Sequence, residues 1–168
     1  MSGVLRLNEL EERAAHDALL RCCGSEKWVR KVLAARPFRD EAHLFDVADR
    51  AWADTGPNDW REAMTHHPRI GEQALREKFG ATAGWSTQEQ KGVAGADEEV
   101  LAQLAAGNRE YEEKFGFIFL VCATGKTAAQ MLELLRARLP HDRDTELKVA
   151  AAEQAKITRL RLQKLLSE

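Results

Sequence analysis

Cysteine, proline and tyrosine are scarce in this chain, and long apolar runs are missing. The three cysteines, Cys22, Cys23 and Cys122, are odd in number and two are adjacent. That excludes a complete disulfide framework and suits a reducing, cytoplasmic setting. No run of about 18 apolar residues exists, so no helical membrane span is expected. The opening Met-Ser-Gly-Val-Leu-Arg-Leu-Asn lacks the charged start and apolar core of a secretory signal. An excess of one charge is lacking too. The 25 Lys and Arg stand against 27 Asp and Glu, a net of −2, which offers no general electrostatic reason to bind nucleic acid.

Two cofactor signatures are also absent. His16, His43, His66 and His67 fall in no metal-ligand spacing, there is no H-E-x-x-H, and Cys22-Cys23 is not C-x-x-C. Thr124-Gly-Lys-Thr127 imitates the tail of a phosphate loop, but that motif needs glycine five residues before Gly125, and Leu120 stands there.

What remains is a chain of 168 residues, 44% hydrophobic and 31% charged, expected to form one globular domain spanning residues 1–168. Helix signals follow one another. Asn8 with Glu11 reads as a capping box opening a segment to Cys23. Ser25 caps Glu26 to Ala35, and Asp40 opens a helix with Leu44, Val47, Ala48 and Ala51 at helical spacing. Gly56-Pro57 breaks it, and Asn58 or Asp59 caps a short helix ending at His66. Further helices are expected at Gly71–Phe79, Ser86–Gly95, Asp97–Ala106, Asn108–Lys114, Lys126–Leu139 and Asp144–Leu166. The expected class is all-α, a helical-bundle domain of about eight to ten helices. The exception is Phe115-Gly-Phe-Ile-Phe-Leu-Val-Cys122, apolar, aromatic and β-branched, which alone reads as a buried strand. No second β-rich run could pair with it. It is therefore expected to thread the helical core in an extended or irregular form, its backbone groups partnered by side chains, water or a ligand.

Three places carry candidate chemistry. Pro68 disfavours helical backbone at the residue before it, which puts His67 where a helix stops. Carbonyls at a helix C-terminus favour positive charge, so His67 reads as a general acid near neutral pH or as a plain helix-end residue. Ser86 and Glu89 have capping-box spacing, and with Gln90 they could also line a polar pocket at a helix start. Arg161 shares a partly apolar ridge with Ile157 and Leu165, whereas Arg159 looks solvated. An arginine on such a ridge either extends its head to water or meets an anion.

Cys22-Cys-Gly-Ser25 with Trp28, Arg36-Pro-Phe38, His67-Pro-Arg-Ile-Gly71, Ser86-x-x-Glu89-Gln90, Tyr111-x-x-Lys-Phe-Gly-Phe117 and Ile157-x-x-x-Arg161-Leu162 occur in this order. Through them the chain resembles, almost end to end, the 2-oxo-4-hydroxy-4-carboxy-5-ureidoimidazoline (OHCU) decarboxylases of urate catabolism. One departure is Ile118, where many members carry proline. The resemblance implies an all-α homodimer with no cofactor and no metal, acting on a small ureidoimidazoline and yielding (S)-allantoin. It implies His67 as stereospecific proton donor and Glu89 as its catalytic partner. It further implies substrate contacts from Pro68, Ser86, Thr87, Gln88, Glu89, Gln90, the segment Phe119, Leu120, Val121, Cys122 and Ala123, and Arg161. The rival reading is a non-catalytic helical domain that binds a small molecule or serves as an adaptor.

Glu89 separates capping from catalysis. A capping box tolerates glutamine at its fourth position, so Glu89→Gln should cost at most roughly 0.3–1 kcal/mol, the worth of a charge at a helix N-terminus. A catalytic carboxylate cannot be so replaced, because a carboxamide carries no charge to bias a neighbouring imidazole. The variant is expected to melt within a few degrees of the parent while turning over far more slowly. Normal turnover, read by polarimetry on the same preparation, would return Glu89 to the cap alone.

Overall fold

Helix caps decide most of the observed boundaries. The computed structural model describes residues 2–67 and 94–168, and no strand occurs among them. The described helices are α1 (Gly3–Glu9), α2 (Glu12–Cys22), α3 (Glu26–Ala34), α4 (Glu41–Ala53), α5 (Pro57–Thr65), α6 (Ala94–Phe115), α7 (Ala128–Arg138) and α8 (Arg143–Ser167). The all-α class follows. The Ser25 hydroxyl accepts from Trp28 N at 3.2 Å and the Asp40 carboxylate from His43 N at 2.8 Å, as the sequence indicates. Thr127 and Gln130 cap α7 reciprocally, at 3.1 and 2.8 Å.

Four expectations need correction. Helix α1 was not anticipated; it starts at Ser2, whose hydroxyl accepts from Leu5 N at 3.2 Å. Asn8 therefore lies inside α1 and is no N-cap. Its carboxamide instead clasps the backbone of Phe38, donating to the carbonyl at 2.9 Å and accepting from the amide at 2.8 Å. Neither Asn58 nor Asp59 caps α5. Gly56 does, with Pro57 in the first turn and the Asp59 carboxylate accepting from Gly56 N at 3.0 Å. Gly107 does not break α6 into two helices, since α6 runs through it. A Cβ there would lie 2.2 Å from Leu135 Cδ2 of α7, so this glycine permits close helix packing. The expected Gly71–Phe79 helix and residues 86–93 of the Ser86–Gly95 helix lie outside the described residues.

Contacts divide the chain into two units, residues 1–67 with 147–168, and residues 68–146. In the first, Val4, Leu19, Trp28, Val29, Leu44, Ala63 and Leu162 form one buried cluster. The buried indole of Trp28 and the half-buried one of Trp52 are satisfied by backbone. Trp28 donates to Ala48 O and Trp52 to Ala151 O, each at 3.0 Å. The Arg36-Pro-Phe38 stretch is structural here: the Arg36 guanidinium donates to Leu7 O at 3.0 Å and Leu10 O at 2.8 Å, closing the end of α1.

In the second unit, α6 and α7 pack on each other, and Tyr111 of α6 and Arg138 of α7 reach the 115–122 segment, which is irregular and makes no sheet. Gly116, at φ 78°, lets the chain leave α6, and its amide bonds Glu112 O at 2.8 Å. Rings of Phe115, Phe117 and Phe119 surround Tyr111 at centroid distances of 4.5, 5.9 and 5.2 Å. Side chains provide the partners that no sheet supplies. Arg138 donates to Leu120 O at 2.7 Å, Lys126 to Cys122 O at 2.8 Å, and Arg143 to Phe115 O at 3.0 Å. Arg138 is itself buried and paired with the fully buried Glu146, which also receives the Tyr111 hydroxyl and faces the His141 ring at 3.0 Å. Burial and the hydrogen bond to Glu146 push the Tyr111 phenol far above its ordinary range, so it stays a neutral donor.

Removing one partner of a buried pair strands the other charge. Arg138→Met is expected to cost about 3–5 kcal/mol in urea unfolding, and Arg138→Met with Glu146→Leu to recover much of that loss. A single variant as stable as the parent would mean that the guanidinium contributes nothing to holding the segment.

Candidate active site

Helix α5 ends as the sequence indicates, with His66 as its C-cap and His67 in the turn that follows. The amides of His66 and His67 donate to Ala63 O at 3.2 Å and Met64 O at 3.1 Å. Behind them passes the Cys-Cys-Gly-Ser stretch. A Cβ on Gly24 would lie 2.3 Å from Cγ of the His66 ring, so that stretch needs glycine to pass there. Cys22 and Cys23 are buried free thiols, and burial pushes them up to about 11 and about 12. They act as packing rather than as nucleophiles at neutral pH.

The His67 ring finds its partners on α8. Nε2 lies 2.6 Å from the carboxamide oxygen of Gln154, and Nδ1 lies 3.5 Å from Nη2 of Arg161. A guanidinium can only donate, so Nδ1 must present its lone pair and Nε2 must carry the hydrogen. The ring so held is neutral. Burial is the main reason that its proton affinity falls below the ordinary 6.5; the charges of Arg161 and His66 add to the fall, and the bond to Gln154 opposes it. This reverses the expectation that the helix end raises proton affinity. Burial and the Arg161 cation from α8, neither of them a property of the helix end, set the direction.

Arg161 does not simply extend into water. It is half-buried, and Nη1 donates to Arg21 O at 3.3 Å while Nη2 meets His67. Arg159 is exposed, as expected, and lies over the Phe45 ring at 4.4 Å. The structure thus brings together His67 and Arg161, 94 residues apart in sequence. It adds Gln154 and Thr158, which sequence reasoning missed. Their signal was a helical face, since 154, 158 and 161 follow i, i+4, i+7. The face drawn through Ile157, Arg161 and Leu165 passed over it.

The other expected site residues divide in two. Pro68, Ser86, Thr87, Gln88, Glu89 and Gln90 lie outside the described residues. Phe119 to Ala123 belong to the second unit, where Phe119, Leu120 and Cys122 are buried and Val121 and Ala123 half-buried. The Leu120 and Cys122 carbonyls already accept from Arg138 and Lys126. A carbonyl has two lone pairs, so this does not close the segment to a ligand. Among the described residues no group of three or more His, Cys, Asp and Glu could hold a metal ion.

Known proteins match this chain in sequence and fold. The family model for OHCU decarboxylase covers residues 8–163. The uric acid degradation bifunctional protein TTL of Arabidopsis thaliana is 36% identical over 88% of the chain, and the chain spans 46% of that protein. The mouse 2-oxo-4-hydroxy-4-carboxy-5-ureidoimidazoline decarboxylase is 30% identical over 80% of the chain and 76% of the mouse protein. A crystal structure of OHCU decarboxylase in the presence of (S)-allantoin superposes with a TM-score of 0.71 at 34% identity, covering 95% of this chain and all of that one. The class defined by fold and matches is an all-helical group of carboxy-lyases. Within it, the chain belongs to the OHCU decarboxylase family.

The state of His67 has a consequence for stability. Its folded-state proton affinity is lower than in the unfolded chain, so the neutral ring contributes stability that is present above pH 6.5 and lost as pH falls below it. Thermal melts of the parent and His67→Gln are expected to converge on acidification below 6.5, with the parent losing more. Parallel curves would mean that the ring is equally basic folded and unfolded.

Proposed function

We propose that this chain catalyses the decarboxylation of OHCU to (S)-allantoin in urate breakdown, as one catalytic domain over residues 1–168 working without a cofactor. Family membership supports the reaction, and the observation that carries the site is the neutral His67 imidazole beside the Arg161 guanidinium.

The substrate's own functional groups explain why little else is needed. Its ring carbon bears a hydroxyl and a carboxylate beside an imine carbon that bears the ureido group. When the bond to carbon dioxide breaks, its electron pair forms a carbon–carbon double bond and the imine pair moves to ring nitrogen, which takes a proton from water. Loss of the hydroxyl proton then yields a carbonyl, while a proton is delivered to one face of the ureido-bearing carbon. The protein must orient the ring and move that proton.

A neutral imidazole is too weak an acid to begin as a donor. His67 therefore first takes a proton, with the substrate hydroxyl as its source, and then delivers it stereospecifically. Arg161 holds an anionic or carbonyl oxygen next to Nδ1. Glu89 orients the hydroxyl or the ring, Ser86 and Gln90 bond the carboxylate and ureido groups, and Pro68, Thr87 and Gln88 line the site. The backbone of Phe119, Leu120, Val121, Cys122 and Ala123 clasps the ring. The protein acts as a homodimer in the cytoplasm. No helix among the described residues is long and apolar enough to cross a membrane.

The test generates the labile substrate from urate enzymatically and follows optical activity. (S)-Allantoin should appear faster than spontaneous racemic decay, His67→Asn should abolish that acceleration, and His66→Asn should keep most of it. Unchanged decay with the parent chain would overturn the activity. Equal loss from both variants would overturn the choice of histidine.

A further inference from the structure

Gln154 is among the most enclosed polar residues of its unit, 1% exposed, and it spends both ends of its carboxamide on named partners. The oxygen lies 2.6 Å from His67 Nε2, and the nitrogen donates at 2.9 Å to Oγ1 of the buried Thr158. The orientation of this amide is constrained by chemistry. Turned over, its NH2 would face Nε2, which would then have to accept, and the ring hydrogen would move to Nδ1. Nδ1–H would face Arg161, which has only hydrogens to offer. One arrangement satisfies all three residues.

We infer that Gln154 is a positioning residue for proton transfer: it holds His67 as the Nε2–H tautomer, so that Nδ1, beside Arg161, is the atom that takes and returns the proton. The inference rests on His67 being the proton-transfer residue proposed above. Its value lies in where it puts the basic lone pair. Nδ1 and the guanidinium share one side of the ring, so an oxygen gripped by Arg161 sits within reach of the atom that can take its proton. Binding an anionic oxygen also offsets the Arg161 charge, which makes the imidazolium easier to form when substrate is present. Among the described residues, the charged and titratable groups acting on the ring are Arg161 from α8 and the adjoining His66. The Cys22 and Cys23 thiols feel the Arg161 charge and remain protonated at neutral pH.

Two variants test this with two readouts, the ring nitrogen resonances of His67 in the resting protein and the pH profile of kcat/KM. The parent should show Nε2–H at neutral pH. Gln154→Glu keeps the shape and puts a carboxylate on Nε2, so the acid limb of kcat/KM should rise by about one pH unit, about a tenfold gain in proton affinity. Gln154→Met removes the acceptor, so the tautomers should mix and kcat should fall about tenfold with KM little changed. An Nδ1–H tautomer or an imidazolium in the neutral resting parent would overturn the inference. So would variants that keep the parent's ring resonances and acid limb. The resonances need no turnover. A parent with Nε2–H and no activity would thus sink the decarboxylase reading and with it the link to proton transfer, leaving only the tautomer, whereas an active parent with the other tautomer would sink this inference alone.

Discussion

A guanidinium that can only donate, set 3.5 Å from an imidazole nitrogen, is the constraint on which the described part of the site depends. It forbids a hydrogen on Nδ1, adds to the burial that keeps the resting ring neutral and determines which way the Gln154 amide faces. It also couples the ring to whatever anion Arg161 meets. A histidine charged at rest would be a ready acid with nothing to take up. At rest the ring is an acceptor, so in the proposed reaction any proton it delivers must be acquired during the cycle.

The surrounding unit is built to keep that contact in place. Gly24 leaves room for His66, Ser25 caps the helix whose Trp28 fills the core, and the 154–158–161 face of α8 presents a carboxamide, a hydroxyl and a guanidinium in successive turns. Holding an imidazole's tautomer through a buried carboxamide asks for positional precision of about 0.5 Å. A long helix anchored by Leu162 and by Trp52 on Ala151 O can deliver it.

The second unit answers a different demand. An irregular apolar segment needs partners for its backbone, and Arg138, Lys126 and Arg143 supply them to the carbonyls of Leu120, Cys122 and Phe115. Burying Arg138 in turn requires Glu146, and Glu146 draws in Tyr111 and His141. Such a network is a costly way to gain stability but an effective way to hold one backbone path, since each member fails without the next. The same unit holds Phe115, Gly116 and Phe117, so that stretch of the family's motif serves the segment's geometry.

Much of this was legible in the sequence because it rests on local rules. Ser25 and Asp40 as caps, the end of α5 before Pro68 and the absence of a sheet partner for 115–122 follow from backbone preferences a few residues long. The ordered motifs pointed to the family for the same reason, being short and contiguous. Long-range packing decided the rest. Asn8 left its expected cap to clasp Phe38, and Gly107, which reads as a break, lies inside α6 where Leu135 packs against it. Arg161 met His67, which helical periodicity could not tell from an arginine reaching to water. The direction of the His67 shift was also out of reach, because a helix end is a local feature whereas burial and a cation from α8 are not. Sequence by itself determined which residues can carry the chemistry; tertiary structure decided their protonation, because proton affinity depends on charges and solvent within a few ångströms in space, whatever their distance along the chain.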